Sequence, residues 1–236
     1  MKLVLRGISK SFGGKRILKD VDFTFEKGKI YGLLGRNGAG KTTLFNCIAE
    51  EVNIDTGEVS LIDENEVLEK ADSSKIGYVY SDPVLPEFLT GFEFIKFYVD
   101  VNKKRIKGLK SVDEYLDFIK IEEEDKHKLI KSYSFGMKNK VQMLCYLITK
   151  PNVILLDEPL TSFDIIVALE IKSLLKEIKK DHILIFSTHI LQLATDLCDE
   201  LVVLKDGKLE LIDNNILKEP DFQDRIMDIL KEETNV

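Results

Sequence analysis

Long apolar runs and amphipathic stretches alternate along most of the chain. Apolar residues follow one another in Ile30–Leu34, Val153–Leu156 and Ile183–Phe186, which is typical of strands buried on both faces of a parallel sheet. Residues 2–5 and 21–25 also predict strands, the second because apolar and polar residues alternate in it. The chain is therefore expected to build a sheet from strands that lie far apart in sequence.

Helical spacing of apolar residues follows several of these strands. It is found in residues 41–52, 164–180 and 191–201. The first of these helices comes after a strand and a glycine-rich loop, which is the opening unit of a phosphate-binding α/β domain. Asp206-Gly207 predicts a hairpin turn between two further strands.

Between about residues 83 and 150 the strand pattern disappears. Pro83 and Pro86 interrupt it, and three segments with helical apolar spacing follow. We expect a helical insertion here, within a domain that covers residues 1–215. A charged C-terminal tail, residues 216–236, is predicted to be helical.

Composition narrows the class of protein. The chain has 236 residues, 44% of them hydrophobic, and a net charge of −7, which argues against a protein that coats nucleic acid. The basic run Lys103–Lys110 is a local exception: it is either a solvated loop or a contact with an acidic partner or a lipid headgroup layer. No apolar run reaches membrane-spanning length, and the N-terminus shows no secretion signal. The three cysteines have no metal-binding spacing and are expected to be buried thiols.

The segment Gly35–Thr42, "GRNGAGKT", matches the phosphate-loop pattern G-x-x-x-x-G-K-[ST] between a predicted strand and a predicted helix. Its glycines allow backbone amides to point at phosphate oxygens, and the helix N-terminus adds a favourable field for an anion. Lys41 is predicted to reach the β and γ phosphates. Thr42 is predicted to bind Mg²⁺ through its hydroxyl. The motif indicates a nucleoside triphosphate site.

Charged and polar side chains end the next two buried strands. Asp157 and Glu158 follow one of them, and His189 follows the other. Because ligands of parallel sheets bind at the carboxyl ends of the strands, all three are expected at one site. Asp157 is predicted to hold Mg²⁺ through water, Glu158 to polarise the attacking water, and His189 to contact the γ-phosphate or hold the catalytic geometry. His127 and His182 are expected to be surface or strand-start residues.

Five motifs, in this order, resemble those of the ATP-binding cassette (ABC) family. They are "GRNGAGKTT" (Walker A), "YSFGM" at the signature position, "VILLDEP" (Walker B), "LTSFD" (D-loop, Leu160–Asp164) and "STH" (H-loop). The resemblance implies a P-loop NTPase fold of α/β class. It has a RecA-like core sheet, an N-terminal antiparallel β subdomain, and a helical insertion that carries the signature motif.

The resemblance also implies a mechanism in which two cassettes pair head to tail with two ATP molecules between them. Ser134 and Gly136 would touch the ATP that is bound by the phosphate loop of the other copy. The catalytic residues implied are Lys41, Glu158 and His189, and those for Mg²⁺ are Thr42, Asp157 and Ser81. The residues implied for binding ATP are Phe12 (stacked on adenine), Gly35, Arg36, Asn37, Gly38, Ala39, Gly40, Lys41, Thr42, Thr43, Ser134, Gly136, Met137 and Asp164.

Two motifs depart from the family pattern. In the signature, Phe135 occupies the position of the first glycine of the family's LSGGQ motif, and Met137 occupies the position of its glutamine. This form resembles cassettes of ABC-2-type exporters. Met137 has the alternative interpretation of core filling. At the Q-loop, the glutamine position falls on Ser81, whose shorter side chain reaches less far toward Mg²⁺, and Asp82 is its neighbour.

The function implied is the ATPase subunit of an ABC transporter, which energises transport, favouring export, through a separate membrane permease. The segment Asp82–Phe94 resembles the region that receives the permease. We expect a cytoplasmic protein, peripheral on the inner face of the cell membrane, paired with itself or a related chain. The alternative is a soluble ABC ATPase that acts in assembly of a complex, such as iron–sulfur cluster assembly. ABC proteins of translation or repair are disfavoured, since the chain has one cassette and an acidic balance.

Overall fold

Two sheets and two groups of helices make up the described part of the chain. The computed structural model describes residues 1–63, 65–106, 108–159, 165–213 and 222–231. The strands are β1 (Lys2–Phe12), β2 (Lys15–Glu26), β3 (Ile30–Leu34), β4 (Thr56–Ile62), β5 (Leu68–Lys70), β6 (Ile76–Val79), β7 (Val153–Asp157), β8 (Ile183–Thr188), β9 (Glu200–Lys205) and β10 (Lys208–Leu211). The helices are α1 (Lys41–Ile48), α2 (Gly91–Asn102), α3 (Val112–Phe118), α4 (Glu123–Lys126), α5 (Phe135–Thr149), α6 (Ile165–Ile178), α7 (Leu191–Leu197) and α8 (Phe222–Lys231).

The central sheet has the strand order β10-β9-β3-β8-β7-β6. All neighbours are parallel except β10, which forms the predicted Asp206-Gly207 hairpin with β9. Residues of β3, β7 and β8 are buried on both faces of the sheet, as their apolar runs predict. Because these three strands are parallel neighbours, their carboxyl ends meet at one edge.

The N-terminal antiparallel sheet has the order β2-β1-β4-β5 and covers one side of α1. Phe25 and Tyr31 meet edge to face in the shared core, with ring centroids 5.0 Å apart. The strands β1 and β2 are longer than predicted, because shifts in register after Leu5 and Ile8 break the alternation that sequence reading depends on. The short strand β5 was not predicted, since all three of its residues are exposed.

The helices α2 to α5 form one group, called the helical group below. They pack around a separate apolar cluster whose centre is formed by Ile95, Leu116, Ile130 and Leu144. Capping boxes start two of them: Thr90 with Glu93 at α2, and Ser111 with Glu114 at α3. The acidic run from Glu122 opens α4. The domain limits at residues 83, 150 and 215 stay predictions.

The second face of the central sheet is covered by α6, α7 and α8. Ile226 of α8 is fully buried there, together with Ile212 that follows β10. The rest of the predicted tail lies outside the described residues. No helix among the described residues is long and apolar enough to span a bilayer. Cys47 and Cys145 are buried free thiols, as expected from their apolar neighbours, while Cys198 is only partly buried.

Candidate functional site

The phosphate loop joins the end of β3 to the start of α1, as the motif predicts. Gly38 and Gly40 have φ angles of 81° and 106°, a left-handed region that side chains with a Cβ rarely adopt. At Gly40 a Cβ would also lie 2.7 Å from the Cγ2 atom of Ile17. The loop therefore depends on glycine at these two positions.

Lys41 is a buried lysine at the first position of α1. Its Nζ donates hydrogen bonds to the carbonyl oxygens of Gly35, at 2.8 Å, and Arg36, at 3.4 Å. Burial lowers the pKa of Lys41, and the nearby carboxylates of Glu158 and Asp157 act in the opposite direction. The loop thus holds a desolvated cation that an anionic ligand stabilises in its charged form.

The carboxylate of Asp157 accepts hydrogen bonds from three hydroxyl groups. Thr42 donates at 2.9 Å, Tyr78 at 3.3 Å and Ser187 at 2.5 Å. Burial, followed by the charge of Asp157, raises the pKa of Tyr78 well above its usual value, so the phenol stays a donor. Sequence reasoning paired Thr42 with Asp157 but missed Tyr78 and Ser187.

Glu158 and His189 lie together at the ends of β7 and β8. The Nδ1 atom of His189 is 3.1 Å from the Oε1 atom of Glu158, and the Glu158 amide donates to the Ser187 hydroxyl at 3.0 Å. Glu158 has a φ of 48°, an uncommon conformation for a residue with a side chain. Strained backbone of this kind is concentrated at functional sites. The geometry places the carboxylate in the cavity above the phosphate loop.

A surface cavity connects these groups. Its lining residues come from the tip of β1, the start of β2, the phosphate loop with α1, and the end of β7: Phe12, Ile17, Asn37, Gly38, Gly40, Lys41, Thr42, Thr43 and Glu158. The ring of Phe12 is half exposed, with Lys10 Nζ 5.1 Å from its centroid. The cavity therefore offers a flat apolar surface at one end and a cation with oxygen ligands at the other.

Ser134 lies at the N-terminus of α5 and caps it. The Ser134 hydroxyl accepts a hydrogen bond from the Met137 amide at 3.2 Å. The Met137 side chain packs against the apolar cluster of the helical group, which agrees with its core-filling interpretation, while Phe135 is exposed. Among the described residues that line the phosphate cavity, none belongs to this helix start.

Ser81 follows β6 and is exposed. In the described part of the chain, no hydrogen bond joins its side chain to Asp157 or Thr42, so its metal role stays a prediction. The backbone around it is held by Gln142 of α5, a residue that sequence reasoning missed. Its Nε2 atom donates to the Tyr80 carbonyl at 3.1 Å, and its Oε1 accepts from the Val84 amide at 3.3 Å. Gln142 is buried among apolar residues of the helix. A polar residue within an apolar stretch of a predicted helix is the feature of the sequence that could have identified it.

The structure thus brings together Phe12, the phosphate loop, Asp157, Glu158 and His189. It places Ser134, Gly136 and Met137 on a separate surface. Asp164 and the rest of the D-loop segment lie outside the described residues.

Residues 18–161 match the protein family described as ABC transporter. The uncharacterized ABC transporter ATP-binding protein YxlF of Bacillus subtilis is 32% identical to this chain over 88% of it and 69% of the relative. The uncharacterized ABC transporter ATP-binding protein MJ1023 of Methanocaldococcus jannaschii is 31% identical over 98% of this chain and 91% of the relative. The spermidine/putrescine import ATP-binding protein PotA of Fusobacterium nucleatum is 33% identical over 86% of this chain and 54% of the relative.

Two solved structures share the fold. One is cbiO1 from Clostridium perfringens, part of the ABC transporter complex cbiONQ, with a TM-score of 0.74, 26% identity, and coverage of 95% of this chain and 93% of that one. The other is the ATP-binding cassette MJ0796, in a dimeric post-hydrolysis state bound to ADP and Pi. Its TM-score is 0.73 at 23% identity, with coverage of 90% and 99%, a likeness that concerns the fold alone.

Proposed function

Because the chain belongs to the ABC transporter family and is an ABC ATPase, we propose that it hydrolyses ATP to energise transport through a separate membrane protein. One observation carries the proposal: Lys41, the Thr42–Asp157 pair and the His189–Glu158 pair meet at one edge of the parallel sheet. A buried cation, a hydroxyl paired with a carboxylate, and a carboxylate that can act as a base are the groups that hydrolysis of a triphosphate needs.

The donor set fits ATP and Mg²⁺. The buried Lys41 and the backbone amides of the glycine loop provide hydrogen-bond donors for an anion at this cavity, and Phe12 offers a face for the base. Thr42 and Asp157 supply the hard oxygen ligands that Mg²⁺ prefers, and they already lie 2.9 Å apart. Bound Mg²⁺ would neutralise charge on the phosphates.

Glu158 is proposed to orient the attacking water and accept its proton. The hydrogen bond from the Glu158 amide to Ser187 fixes the backbone, and His189 holds one carboxylate oxygen. The side chain also lines the cavity that holds Lys41 and Thr42, where the attacking water would approach the phosphate. His189 therefore acts through Glu158, and its proposed contact with the γ-phosphate is a second role.

Ser134 and Gly136 are proposed to complete the site of a second copy. They lie at the exposed N-terminus of a 15-residue helix, where the field favours an anion. The Ser134 oxygen accepts the Met137 amide, so its hydroxyl hydrogen stays available for a phosphate oxygen. Met137 is proposed to support this turn by packing, Phe135 to contact the partner copy, and Asp164 to approach the same interface.

The permease is proposed to bind the segment Asp82–Phe94. Val84 and Phe88 of this segment are 75% and 78% exposed, which is high for large apolar side chains. This placement implies a cytoplasmic protein on the inner face of the membrane. We propose export from the "YSFGM" signature, and the import name of the PotA relative makes a transport assay the test of direction.

The experiment for the transport role is photocrosslinking in cells from a benzoylphenylalanine at position 88. Position 211, where Leu211 is also exposed but lies on β10, is the matched control. We expect capture from position 88 of a protein with several membrane spans, identified by mass spectrometry. Capture of soluble proteins alone would instead support the assembly ATPase.

A further inference from the structure

The outer face of α2 carries two large apolar side chains that nothing in the described structure covers. Phe97 is 61% exposed and Val101 is 66% exposed. They are four positions apart in a helix and therefore share one face. The opposite face holds the helix in place, since Ile95 and Val99 are buried in the core of the helical group. The two side chains are thus displayed by a rigid element.

Cations are frequent in the sequence next to this pair. Residues 96–110 contain six Lys or Arg and one Asp, a net charge of +5 in a chain whose net charge is −7. Lys96, Lys103 and Lys104 are exposed, and none of them forms an ion pair with a described residue. Asp100, which lies between Phe97 and Val101 in the sequence, is an exposed acidic residue of the same helix. The carboxylate of Glu93, one turn earlier, is bonded to Thr90.

An exposed apolar pair next to exposed lysines that form no ion pair with a described residue matches the surface of an anionic bilayer. Apolar side chains enter the boundary between headgroups and acyl chains, and lysines stay at the headgroup level with their stems along the apolar surface. Phosphates of nucleic acid would use the cations but leave Phe97 and Val101 in water. The combination therefore favours lipid.

We propose that this basic-apolar patch (Lys96, Phe97, Val101, Lys103 and Lys104) binds the surface of a membrane that contains anionic phospholipid. The contact goes beyond ATP hydrolysis and needs no permease. It is compatible with the permease segment, because Asp82–Thr90 leads directly into α2. The cassette would then bind its membrane protein and the lipid beside it with neighbouring surfaces.

The test is cosedimentation of the purified full-length protein with two kinds of vesicle. One contains phosphatidylcholine alone, and the other also contains about 30% phosphatidylglycerol, which resembles an anionic leaflet. We expect binding to the anionic vesicles, loss of that binding at high salt, and little binding to phosphatidylcholine. Each cation removed at such a surface weakens binding by about fivefold. The pair Lys103→Gln with Lys104→Gln should therefore weaken it by roughly 10- to 30-fold.

Two further variants separate the apolar part from simple charge attraction. Phe97→Ser with Val101→Ser should weaken binding at unchanged charge. The control pair Lys19→Gln with Lys208→Gln removes two exposed lysines on β2 and β10, at the edge of the central sheet opposite β6, and should leave binding within about twofold, since screening limits distant charges.

Several results would overturn the proposal. They are absence of binding to anionic vesicles by the parent protein, equal loss in the control pair, and vesicle binding that survives both patch variants. Patch variants that bind vesicles normally but no longer copurify with a permease would assign the surface to a protein. ATP turnover of the parent is measured in the same preparation, so failure of lipid binding is distinguished from failure of the ATPase proposal.

Discussion

The Nδ1 atom of His189 lies 3.1 Å from the Oε1 atom of Glu158, although the two residues end different strands. Both strands are fixed in register, with Asp157 beside Ser187. The pair is therefore set by the core of the sheet, and the carboxylate is oriented before any ligand is present. This relationship underlies the proposed role of Glu158 as the base.

Glu158→Gln should abolish turnover while ATP binding is retained. A glutamine side chain has nearly the size of glutamate and can still form a hydrogen bond with His189, but it does not accept a proton from water. General base catalysis contributes roughly 10²- to 10⁴-fold to a reaction rate. Steady-state ATPase assays and nucleotide titration measure the two effects. Glu177→Gln, at an exposed position of α6, is the control. A turnover of Glu158→Gln within about threefold of the parent would remove Glu158 from the role.

Lys41→Ala should weaken ATP binding. Each lost hydrogen bond to a charged group is worth about 1.5–3 kcal/mol, so the Kd should rise at least roughly 10-fold. Thermal unfolding of the nucleotide-free protein separates this effect from a loss of stability, since Lys41 also donates to two carbonyl oxygens of the loop. Fluorescent nucleotide titration and thermal unfolding check both points. An unchanged Kd would contradict the phosphate-loop assignment.

Gln142→Leu should release the segment Tyr80–Val84. It removes both hydrogen bonds from a buried side chain and leaves a backbone carbonyl and amide unpaired, a change that costs about 1–3 kcal/mol. Hydrogen exchange of the Val84 amide should become faster, and kcat should fall more than the KM for ATP changes. Gln192→Leu, at an exposed position of α7, is the control. Unchanged exchange at Val84 would show that Gln142 does not hold the loop.

His182 should make stability depend on pH. It is buried and its Nδ1 meets the Pro151 carbonyl, and burial lowers its pKa despite that hydrogen bond. The unfolded chain then binds more protons, so the contribution is present above the unfolded pKa of about 6.5 and is lost as pH falls below it. The urea midpoint should fall less between pH 7.5 and 5.5 in His182→Gln than in the parent. His127→Gln, at an exposed site, should behave like the parent.

The phosphate loop and the strand-end residues could be predicted because local sequence determines them. Glycine spacing fixes the loop backbone, and parallel strands bring Asp157 and His189 to one edge. The hydroxyl of Tyr78 on Asp157 and the amide of Gln142 on Tyr80 could not be predicted in this way, since the partners are 79 and 62 positions apart. Neither contact produces a periodic pattern of apolar and polar residues that could be recognised in the sequence.

The lengths of strands were predicted less well than their existence. The register shifts in β1 interrupt the alternation on which the pattern rests, and β5 has no buried position to reveal it. Burial of His182 was also missed, because the packing above the start of β8 comes from another segment, which includes Pro151.

We propose that ATP joins two copies of the chain through Ser134 and Gly136. The most direct test is the mass in solution of the Glu158→Gln variant, by analytical ultracentrifugation with ATP, with ADP and without nucleotide. We expect the 27.0 kDa monomer without nucleotide or with ADP and twice that mass with ATP. Adding Gly136→Asp, which places a negative charge at the start of α5, should restore the monomer while ATP affinity stays within about threefold. A mass that does not depend on ATP, or a dimer that tolerates Gly136→Asp, would show that ATP does not join the two copies through this helix start.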